Sequence, residues 1–300
     1  MKVAIVGGTG KMGRWFASFL LREGKEVLLT GRDDQKLREV KHQLDAGSPT
    51  APGVTISARL EAVKDADAVI ISVPIDSFEA VVKQLQPHIR PGQTVLDITS
   101  VKASPVAIMH RYLKTESVLG THPVFGPGAS DMVNKNIVLT PTNEKESALA
   151  EKVKEYLEAK GARVTLMSPH EHDEMMSVVL GLSHFISLVS ADTLLSMEKL
   201  KLMESIGGST YQLLLTLAKS VITEDPEFYA SLQMNLPGMA EIEAVFQRNS
   251  ADWAAVVKNK DRSEFIRRMK ALREKLERSD PGFKKAYGNM YKLLESESSE

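Results

Sequence analysis

The stretch Lys2-Val3-Ala4-Ile5-Val6-Gly7-Gly8-Thr9-Gly10-Lys11-Met12-Gly13 decides the fold. A short, branched, apolar run enters a glycine-rich turn, and Trp15, Phe16, Phe19 and Leu20 then recur at helical spacing. The segment therefore reads as strand, tight turn, helix. Gly8-x-Gly10-x-x-Gly13 is the spacing that allows the turn, lets the backbone approach a pyrophosphate and packs the helix closely; backbone N–H groups at the helix start then meet the phosphates. Glycines also recur in ordinary turns, so a purely structural loop is the bland alternative. The position between a buried strand and an amphipathic helix favours dinucleotide binding, with Gly8, Thr9, Gly10, Lys11, Met12 and Gly13 as contacts.

Outward from this motif the pattern alternates. Val27 to Thr30 reads as a second buried strand, and Asp33-Asp34 followed by Leu37 and Val40 starts a helix. Gly47 to Gly53 is a surface connection rich in Gly, Ser and Pro, with a strand expected at Val54 to Ser57. Ala68 to Val73 is a continuous apolar strand closed by Pro74, and Val73 and Pro74 at its end are further cofactor candidates. A helical stripe over Phe78, Val81, Val82 and Leu85 leads to a strand at Thr94 to Ile98. Ser117 to Leu119, Ile137 to Thr140 and Val164 to Met167 are later strand candidates, with a helix at Ala148 to Leu157. Such alternation implies a mostly parallel sheet covered by helices. After Ser168-Pro169-His170 the texture turns helical, broken by Ser205 to Thr210, Pro226 and Pro237-Gly238. The expected fold is an α/β Rossmann-type dinucleotide-binding domain over 1–168, followed by an all-α domain over 169–300.

The second strand ends Leu29-Thr30-Gly31-Arg32-Asp33, with no carboxylate at position 30 or 31 to accept the ribose hydroxyls of NAD. Arg32 could neutralise the 2'-phosphate of NADP. NADP is therefore the expected cofactor and NAD the alternative, because Asp33 could still serve a ribose. FAD is the weaker reading.

Composition bounds the rest. In 300 residues, 43% hydrophobic and 26% charged, the 38 basic and 39 acidic side chains nearly cancel. A formal charge of −1 offers no footprint for nucleic acid, though it leaves room for a local basic pocket. The chain has no cysteine, which excludes disulfides, thiolate catalysis and cysteine-ligated metals. Met1 runs directly into the first strand, so a cytoplasmic setting is expected. A membrane partner is not expected: the longest apolar candidate, Val178 to Leu195, is interrupted by His184 and Asp192. The terminal Glu295 to Glu300 segment reads as a solvated tail.

Three further motifs stand in order: Asp97-Ile98-Thr99-Ser100-Val101-Lys102, then Gly120-Thr121-His122-Pro123-Val124-Phe125-Gly126, then His172-Asp173 with Ser183-His184-Phe185. Together with the nucleotide fingerprint they resemble the prephenate dehydrogenase family, especially its archaeal-type members, over residues 1 to 240. The resemblance implies oxidation of prephenate, or in some branches arogenate, during tyrosine biosynthesis. It also implies a homodimer built through the helical domain.

By the same resemblance His122 would contact the hydroxyl at ring C4 and assist its deprotonation. Imidazole suits that task, since a pKa of about 6.5 leaves much of it neutral at cellular pH. The alternative is a turn histidine capping backbone groups. Ser100 would hydrogen-bond the hydroxyl or fix His122, unless it merely satisfies a helix terminus. Lys102 would shape the local field or be an ordinary solvated lysine. His184 would bind substrate from the helical domain, the alternative being a satisfied core histidine. His172-Asp173 would join an inter-domain hydrogen-bond network. No coherent ligand set points to a metal.

One departure concerns the substrate carboxylate. Ser209-Thr210-Tyr211-Gln212-Leu213 lies where many family members place an Arg, and here the residue is Gln212. Glutamine cannot make the bidentate ionic fork of a guanidinium. Lys219, Arg248 or a partner-subunit residue could supply the charge; the site could instead accept arogenate, or the alignment could be displaced. Rival readings are a 6-phosphogluconate or 3-hydroxy acid dehydrogenase and a non-catalytic NADP-binding sensor or scaffold. No chorismate mutase-like module and no separate regulatory domain are expected.

Overall fold

A computed structural model describes residues 1–47, 52–115 and 117–297. Most of the expected Gly47 to Gly53 connection and the last residues of the expected tail lie outside the described residues. The chain divides into two compact units, Met1–Met176 with Met234–Pro237, and Ser177–Gln233 with Gly238–Glu300.

The first unit is an eight-stranded sheet. Its elements run β1 (Lys2–Val6), α1 (Lys11–Arg22), β2 (Glu26–Thr30), α2 (Asp34–Gly47), β3 (Val54–Ser57), β4 (Ala68–Ile71), α3 (Ile75–Leu85), β5 (Thr94–Asp97), α4 (Ala103–Tyr112), β6 (Val118–Pro123), β7 (Asn136–Thr140), α5 (Glu144–Glu158), β8 (Arg163–Leu166) and α6 (Pro169–Met176). The strand order is β3-β2-β1-β4-β5-β6-β7-β8. Strands β3 to β6 of this order are parallel, while β7 pairs antiparallel to β6. The order reverses between β1 and β4, and the crevice outside the strand ends at such a point is where doubly wound sheets bind ligands.

Period-two burial explains the layers. Val3 and Ile5 of β1 pack on one face with Trp15, Phe16 and Leu20 of α1 and Leu37 of α2. Ala4 and Val6 face the other way, against Phe78, Val82 and Leu85 of α3 and Met109 of α4. Helices cover both faces, so the strands can be apolar throughout.

The sequence-based strand at Ser117 to Leu119 is in fact longer. β6 runs to Pro123 with every residue buried, placing His122 inside a strand rather than on a turn. The apolar signal fades at Gly120-Thr121-His122, but the backbone stays extended because β7 pairs with it from Gly120 to Pro123, β5 reaching only to Gly120. Gly120 is required there, since a Cβ would lie 2.3 Å from Thr140 Oγ1 and 2.6 Å from a Val106 methyl.

The second unit is helical. A π-helical turn at Ser177–Leu182 precedes α7 (Ser183–Ser196), α8 (Leu200–Ile206), α9 (Ser209–Ile222), α10 (Pro226–Asn235), α11 (Met239–Lys258), α12 (Arg262–Ser279) and α13 (Ala286–Glu297). The 28-residue helical run Pro169–Ser196 contains a window of mean hydropathy 1.7, of which 17% is buried. By length and composition alone it passes for a membrane span, a feature that the interruptions at His184 and Asp192 had concealed.

Candidate active site

The cofactor cradle is built from close approaches. Gly7 has φ +81°, and a Cβ there would lie 2.1 Å from the carbonyl oxygen of Ser72, just past β4. A Cβ on Gly8 would meet Leu29 at 2.8 Å, and one on Gly13 would meet the Gly7 carbonyl at 2.7 Å. Gly7 and Gly8 N–H donate to the Thr30 carbonyl at 2.9 and 3.2 Å, tying the loop to the end of β2. The first backbone bond of α1 runs from Arg14 N to Gly10 O, so the first turn directs its N–H groups and positive dipole end out of the loop. These residues fit a dinucleotide pyrophosphate. Val73 and Pro74 follow β4 beside the loop, Pro74 capping the start of α3.

At the ribose end, Thr30 Oγ1 is fully buried with no partner among the described residues. Asp33 is committed to α2: its Oδ1 accepts from Lys36 N at 3.0 Å, and Lys36 Nζ lies 3.9 Å from its other oxygen. Arg32 is exposed, and among the described residues no hydrogen bond or ion pair engages it.

Ser100 lies just past the C-terminal end of β5 and His122 is the penultimate residue of the neighbouring β6, on the same edge of the sheet as the glycine loop. His122 is 3% exposed, and its Nδ1 sits 2.8 Å from Nε2 of His172 on α6. Burial, then the neighbouring His172, then Lys102, hold the His122 pKa well below the usual 6.5. Ser100 is half-buried, and its hydroxyl makes no hydrogen bond among the described residues. The ring is held by His172.

Lys102 is no solvated lysine. It is wholly buried, paired with Asp97, and donates to Thr99 Oγ1 at 3.2 Å and to the Thr121 carbonyl at 2.7 Å. Thr121 Oγ1 in turn donates to the Asp97 carbonyl at 2.5 Å. One ammonium thus locks the ends of β5 and β6 together immediately before His122. Asp173 accepts from Lys102 N at 2.6 Å and Ala103 N at 2.9 Å, capping α4, and its Oδ1 lies 2.7 Å from His172 Nδ1. Packing assigns α6 to the sheet unit, so this network closes within that unit. The letters Ser-Val-Lys and His-Asp carried the signal; the burial of Lys102 and the bond from His172 to His122 did not show, because residues distant in sequence create both.

Within the helical unit, His184 packs edge-on against Tyr229, ring centroids 4.8 Å apart, and burial pulls its pKa down. His184 Nδ1, the Tyr211 hydroxyl and Gln233 Oε1 are buried without partners among the described residues. Buried polar atoms seldom stay unpaired, so each of these atoms is available to a ligand or to water. Gln212 is exposed at the start of α9. Lys219 is paired with Glu204, and Arg248 is exposed on α11.

A doubly wound sheet with a glycine loop at its switch point, followed by a helical unit, defines a dinucleotide-binding type of fold. Residues 16–166 match the prephenate dehydrogenase nucleotide-binding domain and residues 168–271 match the prephenate dehydrogenase dimerization domain. The chain belongs to the prephenate dehydrogenase family. It is 34% identical over 274 residues to a probable arogenate/prephenate dehydrogenase of Methanocaldococcus jannaschii, covering 90% of this chain and 60% of that one. It is 27% identical to the T-protein of Haemophilus influenzae, over 88% of this chain and 64% of the other. The chain thus spans less than two thirds of the length of these curated relatives. In fold it resembles the Aquifex aeolicus prephenate dehydrogenase solved with hydroxyphenyl propionate and NAD+, with TM-score 0.75, 24% identity and coverage of 93% and 98%. Synechocystis arogenate dehydrogenase is similar too, with TM-score 0.69, 19% identity and coverage of 93% and 100%.

Proposed function

We propose that this protein is a prephenate dehydrogenase, converting prephenate to 4-hydroxyphenylpyruvate and carbon dioxide. The observation that carries this reading is His122: a buried imidazole kept neutral, held through Nδ1 and set on the strand edge that also carries Ser100 and the glycine loop. His122 takes the proton from the C4 hydroxyl, and Ser100 donates to or accepts from the same oxygen. The bound nicotinamide would supply the hydride acceptor. Loss of the ring carboxylate then leaves an aromatic ring, so the protein's own task is alignment and proton removal. His184 and Gln212 are assigned to substrate from the helical domain, where the buried, partnerless Nδ1 of His184 supports a ligand contact.

NADP is the proposed cofactor. Asp33 is spent on capping α2, while Arg32 is exposed and unengaged among the described residues. A charge-assisted bond to a phosphate contributes about 1.5–3 kcal/mol, so Arg32→Ala is expected to raise the KM for NADP by roughly 10–100-fold and to leave the KM for NAD unchanged. Equal effects on both nucleotides would remove Arg32 from phosphate recognition.

Homodimerisation is assigned to the helical domain. Val178, Val179, Leu195 and Leu217 are 48%, 49%, 59% and 44% exposed, an apolar surface that needs a cover. Light scattering is expected to give twice the monomer mass.

The deciding experiment is the initial rate of nicotinamide reduction with prephenate and with arogenate, each paired with NADP and NAD. Prephenate-dependent reduction is the expected result. Selective turnover of arogenate, which keeps both carboxylates but carries an ammonium in place of the side-chain keto oxygen, would assign the alternative activity. Nucleotide binding without reduction in any pairing would leave a sensor or scaffold.

A further inference from the structure

We propose that Asp173 and His172 form a relay that fixes the tautomer of His122, leaving Nε2 as the unprotonated, proton-accepting nitrogen and Nδ1 as the N–H. His172 and Asp173 are thus positioning residues, and the inference rests on the reading of His122 as the base.

The assignment follows from counting donors. Asp173 Oδ1 faces two nitrogens, Lys102 N at 2.6 Å and His172 Nδ1 at 2.7 Å, and Oδ2 faces Ala103 N at 2.9 Å. The two backbone nitrogens can only donate, and a carboxylate can only accept, so the hydrogen between Asp173 and His172 sits on His172 Nδ1. We take His172 with that single N–H, which leaves its Nε2 a lone pair. That lone pair is 2.8 Å from His122 Nδ1, so His122 donates there and holds its own lone pair at Nε2.

Each member is buried: His172 is 0% exposed, His122 3% and Asp173 5%. Water therefore cannot readily rescue the wrong tautomer. Lys102, neutralised by Asp97, approaches from the β5 to α4 loop, and the backbone start of α4 caps Asp173. The Asp173 carboxylate grips the N–H groups of Lys102 and Ala103, two and three residues past Ser100, so one side chain sets both the His122 ring and the Ser100 loop.

Asp173→Asn tests the relay. With its NH2 at the Oδ1 position the amide donates to His172 Nδ1, which moves the hydrogen to His172 Nε2, makes His122 Nδ1 the acceptor and protonates His122 Nε2; in either orientation the NH2 also meets a backbone donor, Lys102 N or Ala103 N, and loosens the grip on the α4 start. Amidation of the orienting carboxylate in a serine-protease triad causes a loss on the order of 10⁴-fold by the same tautomer error. A fall in kcat of about 10²–10⁴-fold is expected here, with nucleotide affinity retained.

The tautomer itself is read by ¹⁵N NMR of the histidine-labelled, full-length protein, which needs neither substrate nor variant. The relay predicts a pyridine-type His122 Nε2 and a pyrrole-type His122 Nδ1, with His172 pyrrole-type at Nδ1 only. A pyrrole-type His122 Nε2, or His172 protonated at both nitrogens, would overturn it, as would an Asp173→Asn variant with wild-type kcat. If the predicted shifts are found but no cyclohexadienyl acid is oxidised, the relay stands and the proposed activity falls.

Discussion

His122→Asn is expected to lower kcat/KM for the cyclohexadienyl substrate by about 10²–10⁴-fold, the usual contribution of a general base. The Kd for the nucleotide should be unchanged, because the glycine loop makes its contacts from β1 and α1. Equal activity in the variant would remove His122 from the reaction. The wild-type pH profile carries the same assignment. Burial, His172 and Lys102 hold the His122 pKa well below 6.5, so the base stays neutral through neutral pH, and the acid limb of kcat/KM should fall below pH 6.5. Linkage adds a stability consequence. Below pH 6.5 the unfolded chain protonates this histidine while the native state resists, so stability falls as pH drops toward the depressed folded value. Urea midpoints should therefore be less acid-sensitive in His122→Asn than in the wild type.

Lys102→Met should give the largest loss of stability. It strands Asp97, which is 0% exposed and whose Oδ2 already lacks a partner among the described residues. Removing one member of a buried pair costs about 3–5 kcal/mol, a fall in Tm of roughly 6–20 °C for a domain of this size. Adding Asp97→Asn to Lys102→Met should recover part of the loss, since the stranded charge is then gone. The single variant should also lose activity at temperatures where it remains folded, because the Thr121 carbonyl beside His122 loses its ammonium. A midpoint within 2 °C of wild type, about the shift from 1 kcal/mol or less, would show that the pair contributes little.

Much of the sheet was legible because its signals are local. Lys2–Val6 followed by three spaced glycines specified strand, loop and helix, and the apolar runs at β4 and β5 marked parallel strands buried on both faces. β6 was only half legible. Its second half, Gly120 to Pro123, has none of the branched apolar character of a strand and is held in extended form chiefly by pairing with β7. The antiparallel turn of β7 had no local signature either, since pairing direction is a property of two strands.

The candidate site divides along the same line. The amino-acid sequence by itself determined the dinucleotide loop, the Ser100 and His122 motifs and the change to helix after Ser168, because spacing and residue type are written in consecutive letters. Tertiary structure alone decided that Lys102 is a buried strut rather than a solvated cation, that Asp33 caps a helix while Arg32 stays unengaged among the described residues, and that His172 rather than Ser100 grips His122. The physical reason is desolvation. A lysine, a histidine or an aspartate acquires its protonation state and its hydrogen-bond direction only when remote elements exclude water from around it and supply the partners, and those partners lie up to 71 residues away along the chain.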